Sequence, residues 1–438
     1  MRTRRNPRGV QCLISVLILF AVGGSNRKAS ADDAPPNIVL IVSDDQGWTD
    51  YGFMQHPHIQ TPNLDKLASQ SLVFRRGYVP SPLCCPSLAS IITGLYPHQH
   101  RITSNDPPIP TGMKQAEFEK SAAFRDGREI MNRHMEAVPT LPRLLAERGY
   151  LSLQTGKWWQ GSYQRGGFTH GMTTGLRHGD DGLIIGRKTM QPIYDFIQTS
   201  QKEKKPFFLW YAPMMPHEPH NPPERILNKY KDKTSSLFEA RYWGMVEWFD
   251  ETCGELLKYL DDQKLADNTI VFFETDNGWI QNPTGTGSVR SKREPYEGGV
   301  RTPILLRWPA KVKPQECEDF AMSIDIAPTI LTALGMQPTK EMQGLNLLDE
   351  AARKKRKTIF GECFTHNAVD LNEPAKNLQY RWVIDERWKL IVPKDEGAKK
   401  KAELYDIVAD PYEKKDLILD APERAEALRR KLDAWWKP

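Results

Sequence analysis

The chain has 438 residues, is 39% hydrophobic with twelve Trp, and carries a formal net charge of +5. That composition excludes a disordered chain, and the length suits one large core or a large core with a smaller satellite. The charge is local: Arg2, Arg4, Arg5, Arg8, Arg27 and Lys28 lie in residues 1–31 without an acid, and removing those six from +5 leaves −1, so nothing in the remainder argues for nucleic acid and no basic patch to neutralise phosphates is evident.

Residues 1–31 read as an export signal. Arg2 to Arg8 form a basic start, Val10 to Val22 an apolar run short for a membrane span, and Ala29-Ser30-Ala31 a small-x-small cleavage site. The protein is expected to be secreted or periplasmic, with no stable membrane span after signal cleavage. An uncleaved anchor is the alternative. Cys84, Cys85, Cys253, Cys317 and Cys363 then remain, too few for a disulfide scaffold and odd in number. Neighbouring Cys84 and Cys85 are too close for an ordinary disulfide, so this pair invites a chemical reading.

Asn37 to Val42 (NIVLIV) is a continuous apolar run that predicts a strand buried on both faces, ending at Ser43-Asp44-Asp45. Asn63 to Phe74 carries Leu64, Leu67, Ala68, Ser71 and Leu72 at helical spacing. Leu141 to Arg148 predicts a short helix stopped at Gly149, and Tyr150 to Gln154 a strand. Phe207 to Tyr211 and Thr269 to Phe273 are further buried strands. Between them a long helix places Met245, Trp248, Phe249, Cys253, Leu256, Leu257 and Leu260 on one face, a stripe that core packing explains. This alternation predicts an α/β domain with a mostly parallel central sheet flanked by helices. Ligands of such sheets bind beyond the carboxyl ends of the strands, so Asp44-Asp45 and Asp276-Asn277 are expected at one edge.

After Leu348 the texture changes. Basic Ala351 to Lys357 leads to short strands at Arg381 to Asp385 and Trp388 to Val392, then to a helix over Asp420 to Trp436 with Pro422 in its first turn. The expected division is a signal peptide at 1–31, a catalytic domain at 32–348 and a smaller C-terminal α+β subdomain at 349–438. The Lys399 to Lys401 run reads as a solvated loop.

Carboxylates and an amide carbonyl are hard oxygen ligands that suit Ca²⁺ or Mg²⁺, although each acidic pair alone also suits a turn or helix cap. The stretch Pro82-Leu83-Cys84-Cys85-Pro86-Ser87-Leu88-Ala89-Ser90-Ile91-Ile92-Thr93-Gly94 is sharper. It resembles the C-x-P-S-R signature of the formylglycine-dependent sulfatases, with Thr-Gly closing the helical turns that follow. Order and spacing extend the resemblance over nearly all of the mature chain: Gly156-Lys157-Trp158, Pro216-His217-Glu218-Pro219, Lys292 before Tyr296-Glu297-Gly298-Gly299, Asp325 to Thr329, Leu404-Tyr405-Asp406 and Asp410-Pro411.

The resemblance implies that a formylglycine-generating enzyme oxidises Cys84, not Cys85, to an aldehyde. One hydroxyl of its hydrate attacks sulfur, and the other restores the aldehyde and expels sulfate, an exit that a plain serine ester lacks. It further implies that Asp44, Asp45, Asp276 and Asn277 bind calcium, in preference to magnesium, with residue 84 in the metal site. Lys157, His217 and Lys292 bind a sulfated small molecule or carbohydrate. The lysines would stabilise the sulfate oxygens and His217 would protonate the leaving group.

Two positions depart from the pattern. The signature arginine is Leu88, which bears on the conversion of Cys84, and the histidine of G-K-W-H is Trp159, which bears on the polar partners of the aldehyde. Arg101 and Arg301 are candidate substitutes. His98, His100, Asn105, Asp106, His170, Arg177 and His178 are candidate rim residues. A phosphoric or phosphonic ester hydrolase of the same superfamily and a non-catalytic sulfoglycan-binding relative are the alternative functions.

Overall fold

The computed structural model describes residues 1–3, 34–398 and 400–438. The apolar run and cleavage site expected within residues 1–31, and Lys399, lie outside the described residues. The strands are β1 (Asn37–Ser43), β2 (Leu72–Phe74), β3 (Gly77–Tyr78), β4 (Leu151–Gly156), β5 (His170–Gly171), β6 (Phe207–Ala212), β7 (Thr269–Thr275), β8 (Ile304–Arg307), β9 (Gln315–Cys317), β10 (Ala321–Met322), β11 (Thr358–Phe364), β12 (Leu378–Asp385), β13 (Trp388–Pro393) and β14 (Glu403–Asp406). They form an eight-stranded sheet in the order β5-β4-β6-β1-β7-β8-β2-β9, a β3-β10 pair, and a four-stranded antiparallel sheet β11-β12-β13-β14. In the large sheet β4, β5, β6, β1 and β7 pair in parallel, and β8 runs against both its neighbours.

The central strands are continuous apolar runs because both faces of the sheet are covered. Ile38, Leu40 and Val42 of β1 pack with the helix Cys84–Thr93, while Val39 and Ile41 pack with Met245, Phe249, Cys253 and Leu256 of the helix Leu237–Asp262. Each such buried side chain contributes about 1.5–3 kcal/mol relative to exposure. Ser236 starts the long helix by accepting a hydrogen bond from the Glu239 N–H. No helix among the described residues is long and apolar enough to cross a membrane.

One expected element divides in two. The helix expected over Asn63 to Phe74 ends at Ser69, and Leu72–Phe74 is β2, paired with β8 and β9. Leu72 fits the helical stripe, but a triplet with β-branched Val73 and aromatic Phe74 between two strands gains a ladder on each side.

The C-terminal part follows the expected α+β pattern. Ala425, Leu428 and Leu432 of the helix Pro422–Trp435 cover Val383, Leu390, Val392 and Leu404 of the small sheet. Its other face packs Trp382, Ile384, Ile391 and Tyr405 against Tyr78, Val300, Phe320 and Met322. Buried Lys389 of β13 reaches Glu297 at 3.0 Å and Glu413 at 2.9 Å, joining that sheet to the loop after Lys292.

Candidate active site

Four adjacent parallel strands end at one edge, and each leads into a polar group. β1 precedes Asp44 and Asp45, β7 precedes Asp276 and Asn277, β4 precedes Lys157, and β6 leads into the turn that carries His217. The common strand direction is what assembles residues so distant in sequence. Gly156 permits the tightest approach: its φ is +73°, and a Cβ there would lie 1.9 Å from the Ala212 carbonyl oxygen. Lys157 N–H donates to that same oxygen at 2.6 Å. Asp45 is left-handed, with φ +60°, a conformation that costs a non-glycine residue roughly 1–2 kcal/mol.

Cys84 opens the ten-residue buried helix, which Gly94 closes in the left-handed conformation. Its thiol donates to Asp44 Oδ1 at 4.0 Å, and it lines a pocket of about 280 Å³. Cys85 turns away: its sulfur accepts from Gln160 Nε2 at 3.0 Å and is absent from the pocket wall. Burial, opposed by Lys157 and Lys292, pushes the Cys84 thiol up to about 12.

Lys157 Nζ lies 2.6 and 2.7 Å from the Asp44 carboxylate oxygens and 3.9 Å from Asp276 Oδ2. Lys292 Nζ lies 2.7 Å from Asp45, and His217 Nε2 lies 3.4 Å from Asp45 Oδ2. His217 Nδ1–H donates to the Glu218 carbonyl at 2.8 Å, which leaves Nε2 toward the pocket. Burial favours a neutral Asp45, yet Lys292, His217 and Lys157 together hold it well below the usual carboxylate range. Asp276 is pushed the other way, by burial and then by Asp44. Three carboxylates face two ammonium groups, one negative charge in excess when all are ionised.

The donor set fits a hard divalent cation. Asp276 Oδ2 and Asn277 Oδ1 are buried without a hydrogen-bond partner, a costly state unless something positive is bound there. Ligand atoms of Asp44, Asp45, Cys84 and His217 lie within 4.8 Å of one another. His217, expected at the substrate, thus also borders this cluster. Asp276 and Asn277 adjoin it: Asp45 N–H donates to Asp276 Oδ1 at 3.2 Å, and Asn277 Nδ2 donates to Asp45 Oδ1 at 2.7 Å.

Of the expected rim, Asn105, Arg177 and His178 line the pocket. Asp106 stands behind, clamping Arg177 at 2.8 and 3.0 Å. The other three histidines are not on the pocket wall. His98 pairs with Glu362 and stacks on Trp436, His100 is buried against Ser90, and His170 packs on Phe196. Leu88 is core. Arg301 lies over the Trp48 ring at 4.0 Å, and neither it nor Arg101 is on the pocket wall. Trp159 is buried between Arg177 and Arg128, at 5.1 and 5.5 Å, and meets the His178 ring edge-on. Three further lining residues were not anticipated: Trp279, Arg293 and His366. Arg293 had a signal, adjacency to Lys292. His366 had none, since it follows β11 in the C-terminal part.

The sulfatase family model matches residues 36–336, and the model for the C-terminal part of N-sulphoglucosamine sulphohydrolase matches residues 287–435. N-acetylgalactosamine-6-sulfatase of Homo sapiens is 31% identical over 366 residues, covering 73% of this chain and 66% of that one. N-acetylgalactosamine-6-O-sulfatase of Bacteroides thetaiotaomicron is 25% identical over 94% of this chain and 96% of its own. A solved structure in complex with its substrate D-glucosamine-2-N,6-O-disulfate superposes with a TM-score of 0.71 at 19% identity, over 92% of this chain and 97% of that one, a likeness of fold. With residues 36–336 and 287–435 matched by these two models, the chain belongs to the sulfatase family, the sulfuric ester hydrolases.

Proposed function

We propose that this enzyme is exported from the cytoplasm and hydrolyses a sulfate ester of a carbohydrate, using residue 84 after its oxidation to formylglycine by a generating enzyme. The observation that carries the reading is the convergence of Cys84, His217 and Lys292 on one pocket edged by oxygen ligands, with buried Lys157 behind its wall on Asp44. Asp44, Asp45, Asp276, Asn277 and residue 84 would hold calcium rather than magnesium, since several carboxylate and carbonyl oxygens suit a large, flexible coordination shell. When present, formylglycine supplies a hydroxyl nucleophile with an internal exit for sulfate, and the cation supplies positive charge beside the sulfate oxygens.

The remaining work belongs to this chain's side chains. Lys157 and Lys292 neutralise sulfate oxygens from positions that Asp44 and Asp45 fix. His217, held through its Nδ1–H by the Glu218 carbonyl, presents Nε2 to the leaving oxygen and donates a proton there as the imidazolium, the form that burial opposes and Asp44 and Asp45 favour. A divalent charge turns the site's one negative charge into one positive charge, matched to a singly charged sulfate ester. The helix Cys84–Thr93 points its N-terminus at the same place, favouring an anion.

The relatives named above as N-acetylgalactosamine-6-sulfatases support a sulfated sugar as the substrate class. The catalytic part is assigned to residues 32–348, and residues 349–438 add His366 to the rim. Paired turnover of an aryl sulfate and an aryl phosphate tests the reaction. Sulfate turnover well above phosphate turnover supports it. The reverse preference points to a phosphoric or phosphonic ester hydrolase, and no turnover of either to a sulfoglycan-binding protein.

A further inference from the structure

The hollow above Cys84 continues sideways. Trp279, Lys292 and Arg293 line both it and a second groove of about 820 Å³ whose walls include Tyr380 and Lys400. That size lies in the range of pockets that hold a sizeable organic ligand. Arg293 stands at the junction on a left-handed backbone, φ +73°, a state that non-glycine residues seldom adopt and that clusters at functional sites. The backbone is tied on two sides. Its N–H donates to the Pro82 carbonyl at 2.8 Å, two residues before Cys84, and its carbonyl accepts from the Cys363 thiol of β11 at 3.1 Å.

The Arg293 side chain, by contrast, has no hydrogen bond or ion pair with the described residues, whereas Arg177 of the same pocket is clamped by Asp106. Lys400 lies over the Tyr380 ring at 5.1 Å and likewise has no carboxylate partner among the described residues. Glu294, the acid lining this groove, accepts at 2.7 Å from the Arg290 N–H. The groove therefore presents two cations with no ion-pair partner among the described residues, Arg293 and Lys400, against the single carboxylate Glu294 and alongside aromatic surface.

We infer that this groove is a subsite for the sugar next to the one that carries the reacting sulfate, and that Arg293 and Lys400 recognise an acidic group on that neighbour, a uronate carboxylate or a second sulfate. The substrate is then an oligosaccharide with at least two acidic groups. A guanidinium offers two parallel donors to either anion, and the ammonium adds a point charge. This inference rests on the sulfate-ester reading of the Cys84 pocket.

The test is competition against aryl-sulfate hydrolysis by three probes: a monosulfated monosaccharide, a uronate-containing chondroitin sulfate tetrasaccharide, and a carrageenan tetrasaccharide whose neutral sugars carry two sulfates. The wild-type protein should bind at least one tetrasaccharide about tenfold more tightly than the monosaccharide. The Arg293→Ala/Lys400→Ala variant should weaken that tetrasaccharide at least about tenfold more than it weakens the monosaccharide or the aryl sulfate. A loss on the chondroitin probe alone identifies the carboxylate as the group read, and a loss that includes the carrageenan probe identifies a second sulfate. Equal wild-type affinity for all three probes, or equal losses on all of them in the variant, overturns the inference. Failure of the wild type to hydrolyse aryl sulfate would instead overturn the sulfate-ester reading. Calorimetric titration of the same probes into wild type and variant would then decide the groove by itself, with Arg293→Glu as the stricter variant.

Discussion

Replacing Lys389 by methionine removes the charge that joins the small C-terminal sheet to the loop behind Lys292 while keeping most of the side-chain volume. Lys389 is fully buried, and its two partners, Glu297 and Glu413, are each 1% exposed. Stripping the cation leaves two carboxylates of like charge with only Arg301, 3.6 Å from Glu297, as a counter-ion, so the loss should be about 3 kcal/mol near pH 8, the low end of the scale for breaking a buried pair on one side. Its pH dependence follows from Glu413. Burial already holds this carboxyl above its ordinary value, with Lys389 as the chief opposing influence. Removing Lys389 raises it further. A folded-state pKa above the unfolded one means stability that is present at low pH and lost as pH rises through the folded value. The variant's deficit should therefore be smallest near about pH 5.5, where the buried carboxyl is protonated with or without Lys389, and grow as pH rises past about 7. Urea denaturation followed by tryptophan fluorescence reads it, with Trp382 5.8 Å from the Lys389 ammonium as a local reporter. A deficit below about 1 kcal/mol near pH 8, or one that does not shrink in acid, would show that Lys389 does not hold the two carboxylates in this way.

Two further outcomes bear on the pocket. Asp276→Asn and Asp45→Asn should lose calcium measured by elemental analysis, along with nearly all turnover, because each removes one of three carboxylates; full activity in a verified metal-free sample contradicts an essential cation. His217→Ala should lose about 10²–10⁴-fold on a sugar sulfate with its poor leaving group and much less on an activated aryl sulfate, whereas Lys292→Ala should depress both by similar factors; equal losses for His217→Ala would leave it a sulfate ligand only.

The strands that build the site were legible because both faces of the sheet are covered. β1 and β7 are unbroken apolar runs, and the polar pairs that end them, Asp44-Asp45 and Asp276-Asn277, mark the carboxyl edge at once. Lys157 and His217 follow β4 and β6 by the same logic. The β2 triplet was hidden because Leu72 satisfies a helical stripe and a strand equally, and its pairing with β8 and β9 is a long-range fact. The rim was legible only in part. His98 and His100 are near Cys84 in sequence, but the turn after Gly94 carries them toward Glu362 and Ser90. His366 enters from β11, a contribution that depends on how the small sheet docks. Trp159 shows a third limit: the sequence marks the missing histidine, but only the fold reveals the arginines that flank the ring.

The most direct measurement of the central claim is mass analysis of the peptide containing residue 84, taken from protein produced with a formylglycine-generating enzyme and titrated in parallel for aryl-sulfate turnover. The expected result is an aldehyde at 84 that reacts with a hydrazide probe, a thiol retained at Cys85, and turnover that scales with the aldehyde fraction and vanishes in Cys84→Ala. An active preparation with only thiol at position 84 would contradict it.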